Sequence, residues 1–279
     1  MQERQPSATA IWAAGDRAVH QKFEGGSIFL DPFARAILGE EACEEADNRA
    51  ADPSNRLLRL FIAARSRFAE DAIAAAVARG VRQAVVLGAG LDTFGLRNPH
   101  AGAGLRIFEV DHPATQAWKR QRLTSAGLKV GPSVVFVSVD FTEQSLAECL
   151  AIGGFDASAP AFFSWLGGVP YFTRSATEAV LKFIAEIPDS EVAFDYTEPI
   201  ENYPAERRIR VAAMSKRAAA HGEPWLCDLN AAEIADALRS LGFTELEDVD
   251  FATMAVRFFG TPKEKVAGGA GPHVIRARR

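Results

Sequence analysis

The residues whose types and spacing point to chemistry sit in the middle of the chain, at three places where an apolar run ends in a small or acidic residue. The first is Val85-Val86-Leu87-Gly88-Ala89-Gly90-Leu91-Asp92-Thr93, an apolar strand entering a Gly-Ala-Gly turn. Glycine tolerates positive φ and has no Cβ, so a ligand can approach its backbone closely. The second is Phe108-Glu109-Val110-Asp111, which ends about 21 residues beyond Gly90, the spacing of an acid that grips a ribose. Glu109 and Asp111 project to one face of the strand, and Asp111 lies at its carboxyl end, where ligands bind in open α/β sheets. The third is Val139-Asp140-Phe141, a carboxylate followed by an aromatic ring able to lie against a base. Each has a plainer alternative: a tight turn, a helix N-cap at Asp111, a turn aspartate at Asp140. Together the three ends describe a slot for a nucleoside.

The glycine turn favours a ligand without phosphates. A dinucleotide turn carries a third glycine, as G-x-G-x-x-G, which lets a helix N-terminus reach the pyrophosphate. That position is Thr93 here, and Asp92 adds negative charge beside it. S-adenosylmethionine therefore fits better than NAD.

The elements that must position these residues follow from periodicity. Helical spacing covers Thr9 to Phe23, and Asp31-Pro32 opens a short helix ending at Gly39, with Asp as N-cap and Pro in the first turn. Glu40 to Ala51 is acidic and poor in large apolar residues, which predicts a loop. Asp52-Pro53 starts a long helix to about Arg79. Strands are expected at Gln83–Leu87, Leu105–Asp111, Val134–Val139, Ala161–Leu166 and Glu191–Asp195. Helices are expected near Pro113–Ala126, Glu143–Ala151 and Ser175–Ile187, the last opening on a Ser175…Glu178 capping box. Helices near Ala205–Ala220 and Asn230–Leu241, then strands at Thr244–Val249, Ala255–Phe259 and His273–Ala277, complete the chain. Strands alternating with helices imply right-handed crossovers and a mostly parallel sheet. One domain over residues 1–279 is expected: a helical cap and long helix over 1–80, then an α/β core over 81–279 with lid helices around 203–222.

Composition limits the partners. Hydrophobic residues at 48% allow a substantial core, and a net charge of −5 disfavours nucleic acid. Three scattered cysteines and five histidines without ligand spacing show no zinc pattern or disulfide framework, which favours a reducing compartment. No apolar run spans a bilayer and the N-terminus is unlike a signal peptide, so a cytoplasmic protein is expected. Oligomeric state is not legible.

These motifs resemble the leucine carboxyl methyltransferase family, over nearly the whole chain. The resemblance rests on Ser7-Ala8-Thr9-Ala10 with Arg17-Ala18, Asp31-Pro32, Ala64 to Phe68, Leu87 to Thr93 with Arg97, and Phe108 to Pro113 with Lys119. It continues through Val139-Asp140-Phe141, Gly168 to Thr173 and Val274 to Arg278. It implies a Rossmann-like class I methyltransferase fold, α/β with a mostly parallel seven-stranded sheet and an N-terminal helical cap, using S-adenosylmethionine. It implies that Arg65 pairs with the cofactor's carboxylate. Gly88, Ala89 and Gly90 would then line its methionine part, Asp111 hold the ribose, and Asp140 with Phe141 contact the adenine. Tyr171 would face the acceptor, and Arg17 would be a basic residue at the mouth, these two being the catalytic candidates. Relatives carry a glutamate five residues before this tyrosine. The segment here, Ser164 to Gly168, has no acid, and Trp165 is the residue expected to pack on the cofactor in its place.

The expected reaction is methyl transfer to a carboxylate or hydroxyl of a small acid or phenol, yielding S-adenosylhomocysteine. A carboxylate needs no general base; a hydroxyl does, and His20 and His112 are the nearest candidates, each more in keeping with a structural role. The alternatives are an NAD(P)-dependent oxidoreductase and a non-catalytic cofactor-binding protein. Tyr196 is a candidate for the acceptor pocket, Trp12, Phe162 and Phe163 are read as core or lid packing, and Arg207, Arg208 and Arg210 as a solvated helix face.

Overall fold

The computed structural model describes residues 7–141, 143–266 and 270–279. They fall into two compact units, divided between Phe155 and Asp156.

In the first unit the order is α1 (Ala8–Phe23), α2 (Ala34–Leu38), α3 (Glu40–Ala50), α4 (Arg56–Ala78), β1 (Gln83–Leu87), α5 (Phe94–Arg97), β2 (Arg106–Asp111), α6 (Pro113–Ser125), β3 (Val134–Ser138) and α7 (Leu146–Ile152). The strands run parallel in the order β3-β2-β1, with Leu87 opposite Val110 and Asp111 opposite Ser138. β1 is buried throughout, as its unbroken apolar run requires. This register brings the carboxyl ends of all three strands to one edge. Backbone bonds from Ala89 N to Val110 O (3.0 Å) and Val139 N to Asp111 O (2.9 Å) carry the alignment past the strands.

Residues 40–51 are not a loop. Eleven of them form α3, with Glu40 and Glu41 in the first turn and Arg49 in the last, charges that complement the helix dipole. Its inner face is made of small residues, Cys43 and Ala46, so the search for large apolar side chains missed it. Those small residues allow close approach: a Cβ on Gly15 of α1 would sit 3.1 Å from the Ala46 Cβ. Together α1, α2 and α3 bury Ala14, Ala18, Ile37, Cys43 and Ala46 in one cluster with Leu91, the residue after the glycine turn. The cap is thus built onto the turn. Asp31 stands just before α2, which begins at Ala34; its buried Oδ1 accepts from Phe33 N (3.2 Å) and its carbonyl from Ala34 N (3.2 Å).

In the second unit the order is β4 (Ala161–Trp165), α8 (Arg174–Glu186), β5 (Glu191–Thr197), α9 (Ala205–Ala220), α10 (Ala231–Ser240), β6 (Glu245–Asp250), α11 (Phe251–Phe259) and β7 (Pro272–Arg278). β4 and β5 are parallel, and β7 runs antiparallel to both β5 and β6. Phe162 and Phe163 are core, as read from the sequence. The cap of α8 is Thr173, whose hydroxyl accepts from Ala176 N (3.2 Å), not Ser175. Residues 255–259 are helical, not a strand. Asp250 accepts from Thr253 N (2.7 Å) to start α11, and Gly260 at φ +66° ends it. A five-residue apolar run cannot by itself distinguish a strand from a short buried helix; the flanking cap signals do. The fold is the mixed α/β class expected, with seven strands, mostly parallel.

Candidate functional site

The edge formed by β1, β2 and β3 gathers the glycine turn, Asp111, Asp140 and Phe141. Gly88 and Gly90 have φ of +64° and +43°, conformations an L side chain rarely adopts. A Cβ added to Gly88 would meet no atom within 4 Å, so the backbone here borders open space. At Gly90 it would come 3.0 Å from the Ala10 Cβ, because α1 crosses the turn at this point. The N-terminus of α1 is tied nearby by Ser7 N donating to the Thr115 hydroxyl of α6 (3.4 Å).

Asp111 braces the turn. Its Oδ2 accepts from Gly90 N (2.5 Å) and its Oδ1 from His112 N (2.7 Å). Burial pushes its carboxyl above the usual range, opposed by these two N–H groups and by the charge of Lys119. The helix cap of α6 is His112, whose Nδ1 accepts from Ala114 N (3.2 Å). That leaves the proton on Nε2, which faces Asp140 Oδ2 at 3.6 Å. Glu109 is withdrawn from the edge, buried against the Lys119 ammonium at 2.6 Å. Asp140 opens a turn, its carbonyl accepting from Gln144 N (2.8 Å), with Phe141 half-buried beside it.

Arg65, on α4, is half-buried, its guanidinium 5.8 Å from the centre of the Phe61 ring. Arg17 lies buried on α1. It is 7% exposed, donates to the Leu91 carbonyl (2.7 Å) and pairs with Asp31 (3.4 Å), so it pins the chain after Gly90. Asp31 also accepts from the Thr93 hydroxyl (2.7 Å), and Arg97 bonds both Thr93 and, through two nitrogens, Glu70 of α4. This buttress of Arg17, Asp31, Thr93, Arg97 and Glu70 was not read as one unit from the sequence. Its signal was present as polar residues of opposite charge within otherwise apolar segments.

In the second unit, Tyr171 closes a 3-10 turn over Val169–Tyr171 and is half-buried. Trp165 is 1% exposed and packs edge-on against Phe172 (5.2 Å) and tilted against Phe194 (6.5 Å). Gly168 is needed beside it, since a Cβ there would lie 2.2 Å from the indole nitrogen. Trp165 is therefore a core residue, without an open ring face for a cofactor. Tyr196 is likewise no pocket residue: it is buried, donates to Asp248 Oδ2 (2.6 Å) and stacks on His273 at 4.8 Å. Arg208 is tied to the carbonyls of Glu201 and Tyr203, while Arg210 is exposed.

His20 is structural. It is fully buried, with Nε2 accepting from Ile28 N (3.3 Å) and Phe29 N (3.4 Å) and Nδ1 bonded to Glu24 (3.3 Å). Burial lowers its pKa below the ordinary 6.5, against the pull of Glu24. The unfolded chain then binds a proton that the folded chain resists, so His20 lowers stability as pH falls below about 6.5. His273 acts in the opposite sense. Burial opposes its charge, but Asp248, Glu198 and Asp250 outweigh burial and raise its pKa, so its contribution is lost as pH rises through the folded value. Urea midpoints measured from about pH 7.5 to 5 should fall less steeply in His20→Gln than in the parent, and more steeply in His273→Gln. Equal slopes in all three proteins would refute both assignments.

The family model described as leucine carboxyl methyltransferase matches residues 10–185. The chain belongs to the leucine carboxyl methyltransferase family. It is 30% identical over 99% of its length, and 99% of the relative's, to the Bacillus subtilis protein named "Putative S-adenosyl-L-methionine-dependent methyltransferase YktD". A Streptomyces coelicolor protein of the same description, SCO7813, is 33% identical over 65% of this chain and 66% of its own. The crystal structure of a DUF574 family protein from Streptomyces avermitilis shares the fold, with a TM-score of 0.61 at 17% identity over 98% of each chain. This leucine carboxyl methyltransferase family member is an S-adenosylmethionine-dependent methyltransferase. Among the described residues no helix is long and apolar enough to cross a membrane.

Proposed function

We propose that the enzyme transfers a methyl group to an oxygen of a small acceptor, a carboxylate or a hydroxyl, and that the edge of β1, β2 and β3 holds the cofactor. The observation that carries this reading is the alignment at one edge of an open glycine turn, a braced aspartate and an Asp-Phe pair, with no long helix pointing at the turn. The helix that follows, α5, has four residues and begins at Phe94. A turn of this kind does not make a pyrophosphate cradle, while a nucleoside with a phosphate-free linker fits.

Gly88 to Gly90 would line the methionine part through backbone. Asp111 would hold the ribose hydroxyls, Asp140 and Phe141 the adenine, and Arg65 the amino-acid carboxylate. When bound, S-adenosylmethionine supplies an electrophilic methyl on a sulfonium. The chain's task is then to hold an acceptor oxygen in line with it. Arg17 takes part by positioning, through Leu91, and Tyr171 is the side chain proposed to face the acceptor.

The commitments of the two candidate histidines support a carboxylate acceptor. His20 is sealed in the cap core and the Nδ1 of His112 is committed to a helix cap. An acceptor already ionised at neutral pH needs neither, which favours a carboxylate. Calorimetry is expected to show binding of S-adenosylmethionine and S-adenosylhomocysteine and none of NAD. Transfer of labelled methyl to a panel of carboxylic acids and phenols should then favour acids. Binding of NAD in preference, or binding without turnover on any acceptor class, would overturn the reading.

A further inference from the structure

The turn that carries Tyr171 is built like the glycine turn of the first unit, and the resemblance identifies a residue with an unassigned task. β1 is followed by Gly90, whose N–H points at Asp111, one residue past the Val110 that pairs with Leu87. β4 is followed by Gly167, whose N–H points at Asp195 Oδ1 (2.5 Å), one residue past the Phe194 that pairs with Trp165. In both cases a carboxylate on the next parallel strand grips the backbone of a glycine with positive φ, +70° at Gly167. Asp195 is 5% exposed. A buried carboxylate bonded to a backbone N–H makes a short, charge-assisted bond with a fixed direction.

We propose that Asp195 is the positioning residue for Tyr171. The inference rests on the reading of Tyr171 as the acceptor-facing side chain. From Gly167 the chain has four residues to Tyr171, and the intervening contacts are stiff. Tyr171 N donates to the Gly168 carbonyl (3.0 Å) and Phe172 N to that of Val169 (3.1 Å). The Pro170 carbonyl accepts from Leu226 N (2.7 Å) and Cys227 N (3.3 Å) of the segment after α9. The Trp165 indole closes over Gly168. The bond to Asp195 sets the direction in which the chain leaves β4, and these contacts carry that direction to Tyr171.

The experiment reads the tyrosine directly. The chain has three tyrosines, so uniform 3-fluorotyrosine labelling gives three fluorine resonances, assignable by single Tyr→Phe changes. In Asp195→Ala the Tyr171 resonance is expected to shift or broaden while that of Tyr203 stays. Asp195→Asn, which retains an acceptor oxygen for Gly167, should restore it. If the alanine variant fails to fold, Asp195→Ser, too short to reach Gly167, replaces it. In methyl transfer, kcat/KM for the acceptor should fall about 10- to 100-fold in Asp195→Ala and largely recover in Asp195→Asn, with S-adenosylhomocysteine affinity within about twofold of the parent. In a Tyr171→Ala background, Asp195→Ala should add no further loss, because both changes remove one function. A Tyr171 resonance unmoved in the folded variant, or losses that multiply, would overturn the proposal. Should the parent transfer no methyl at all, the functional reading fails, and the fluorine spectra still decide the role of Asp195.

Discussion

Asp111→Ala is expected to weaken S-adenosylhomocysteine binding by about 100-fold, the loss of two hydrogen bonds to a charged group at roughly 1.5 kcal/mol each. A carboxylate offers about four acceptor positions. Gly90 N takes one on Oδ2 and His112 N one on Oδ1, leaving one on each oxygen for the two neighbouring ribose hydroxyls. Alanine removes those positions and also frees the Gly90 turn. Asparagine retains one oxygen but turns an amide against a backbone N–H, so Asp111→Asn should fall between. Because burial raises the Asp111 pKa, affinity in the parent should decline on acidification before ordinary carboxylates titrate. Adenosine makes the assignment specific. Asp111→Ala should weaken adenosine and S-adenosylhomocysteine alike, whereas Arg65→Ala should weaken only the ligand with an amino-acid tail. Calorimetry with both ligands on both variants decides it. Undiminished binding of S-adenosylhomocysteine by a folded Asp111→Ala protein would remove the ribose site from this edge.

What was legible in the sequence followed the range of the signals. β1 was placed to the residue because four apolar residues, Ala84 to Leu87, run directly into a glycine turn. Alternation puts Glu109 and Asp111 on one face, and only the position at the strand's carboxyl end favoured Asp111; Glu109 is buried against Lys119. Signals carried by small residues were lost: α3 packs through Cys43 and Ala46, which no search for large apolar side chains registers. Long-range polar partners were lost for a different reason. Asp31 lies 62 residues from Thr93, and Asp195 lies 28 from Gly167. Nothing local marks such pairs, so Asp31 read as a helix cap and Asp195 merely as the end of a strand. For Tyr196, a position near a strand's carboxyl end did not guarantee an open site, and for Trp165 a place beside the relatives' missing glutamate did not either. The fold places both side chains in the core.

Asp31→Ala is expected to cost the first unit about 3 to 5 kcal/mol, the penalty for removing one partner from a buried charged cluster. The argument rests on what the change leaves behind. Arg17 would stay buried with the Leu91 carbonyl but without its counter-charge, and the Thr93 hydroxyl would lose its acceptor. Arg97 would retain Glu70, so the damage should centre on Arg17 and the loop from Leu91 to Thr93. For a unit of this size the loss corresponds to a drop in melting temperature of about 10 °C. Asp31→Asn should lose less: its oxygen can still accept from Thr93 and Phe33 N, while its amide faces the Arg17 guanidinium without attraction. The double variant Asp31→Ala with Arg17→Met should recover part of the loss, since the orphaned charge is then gone. Recovery would show that the cap is secured to the glycine turn by charge compensation. A double variant less stable than Asp31→Ala by the full cost of the Arg17 change would show instead that Arg17 holds Leu91 independently of Asp31.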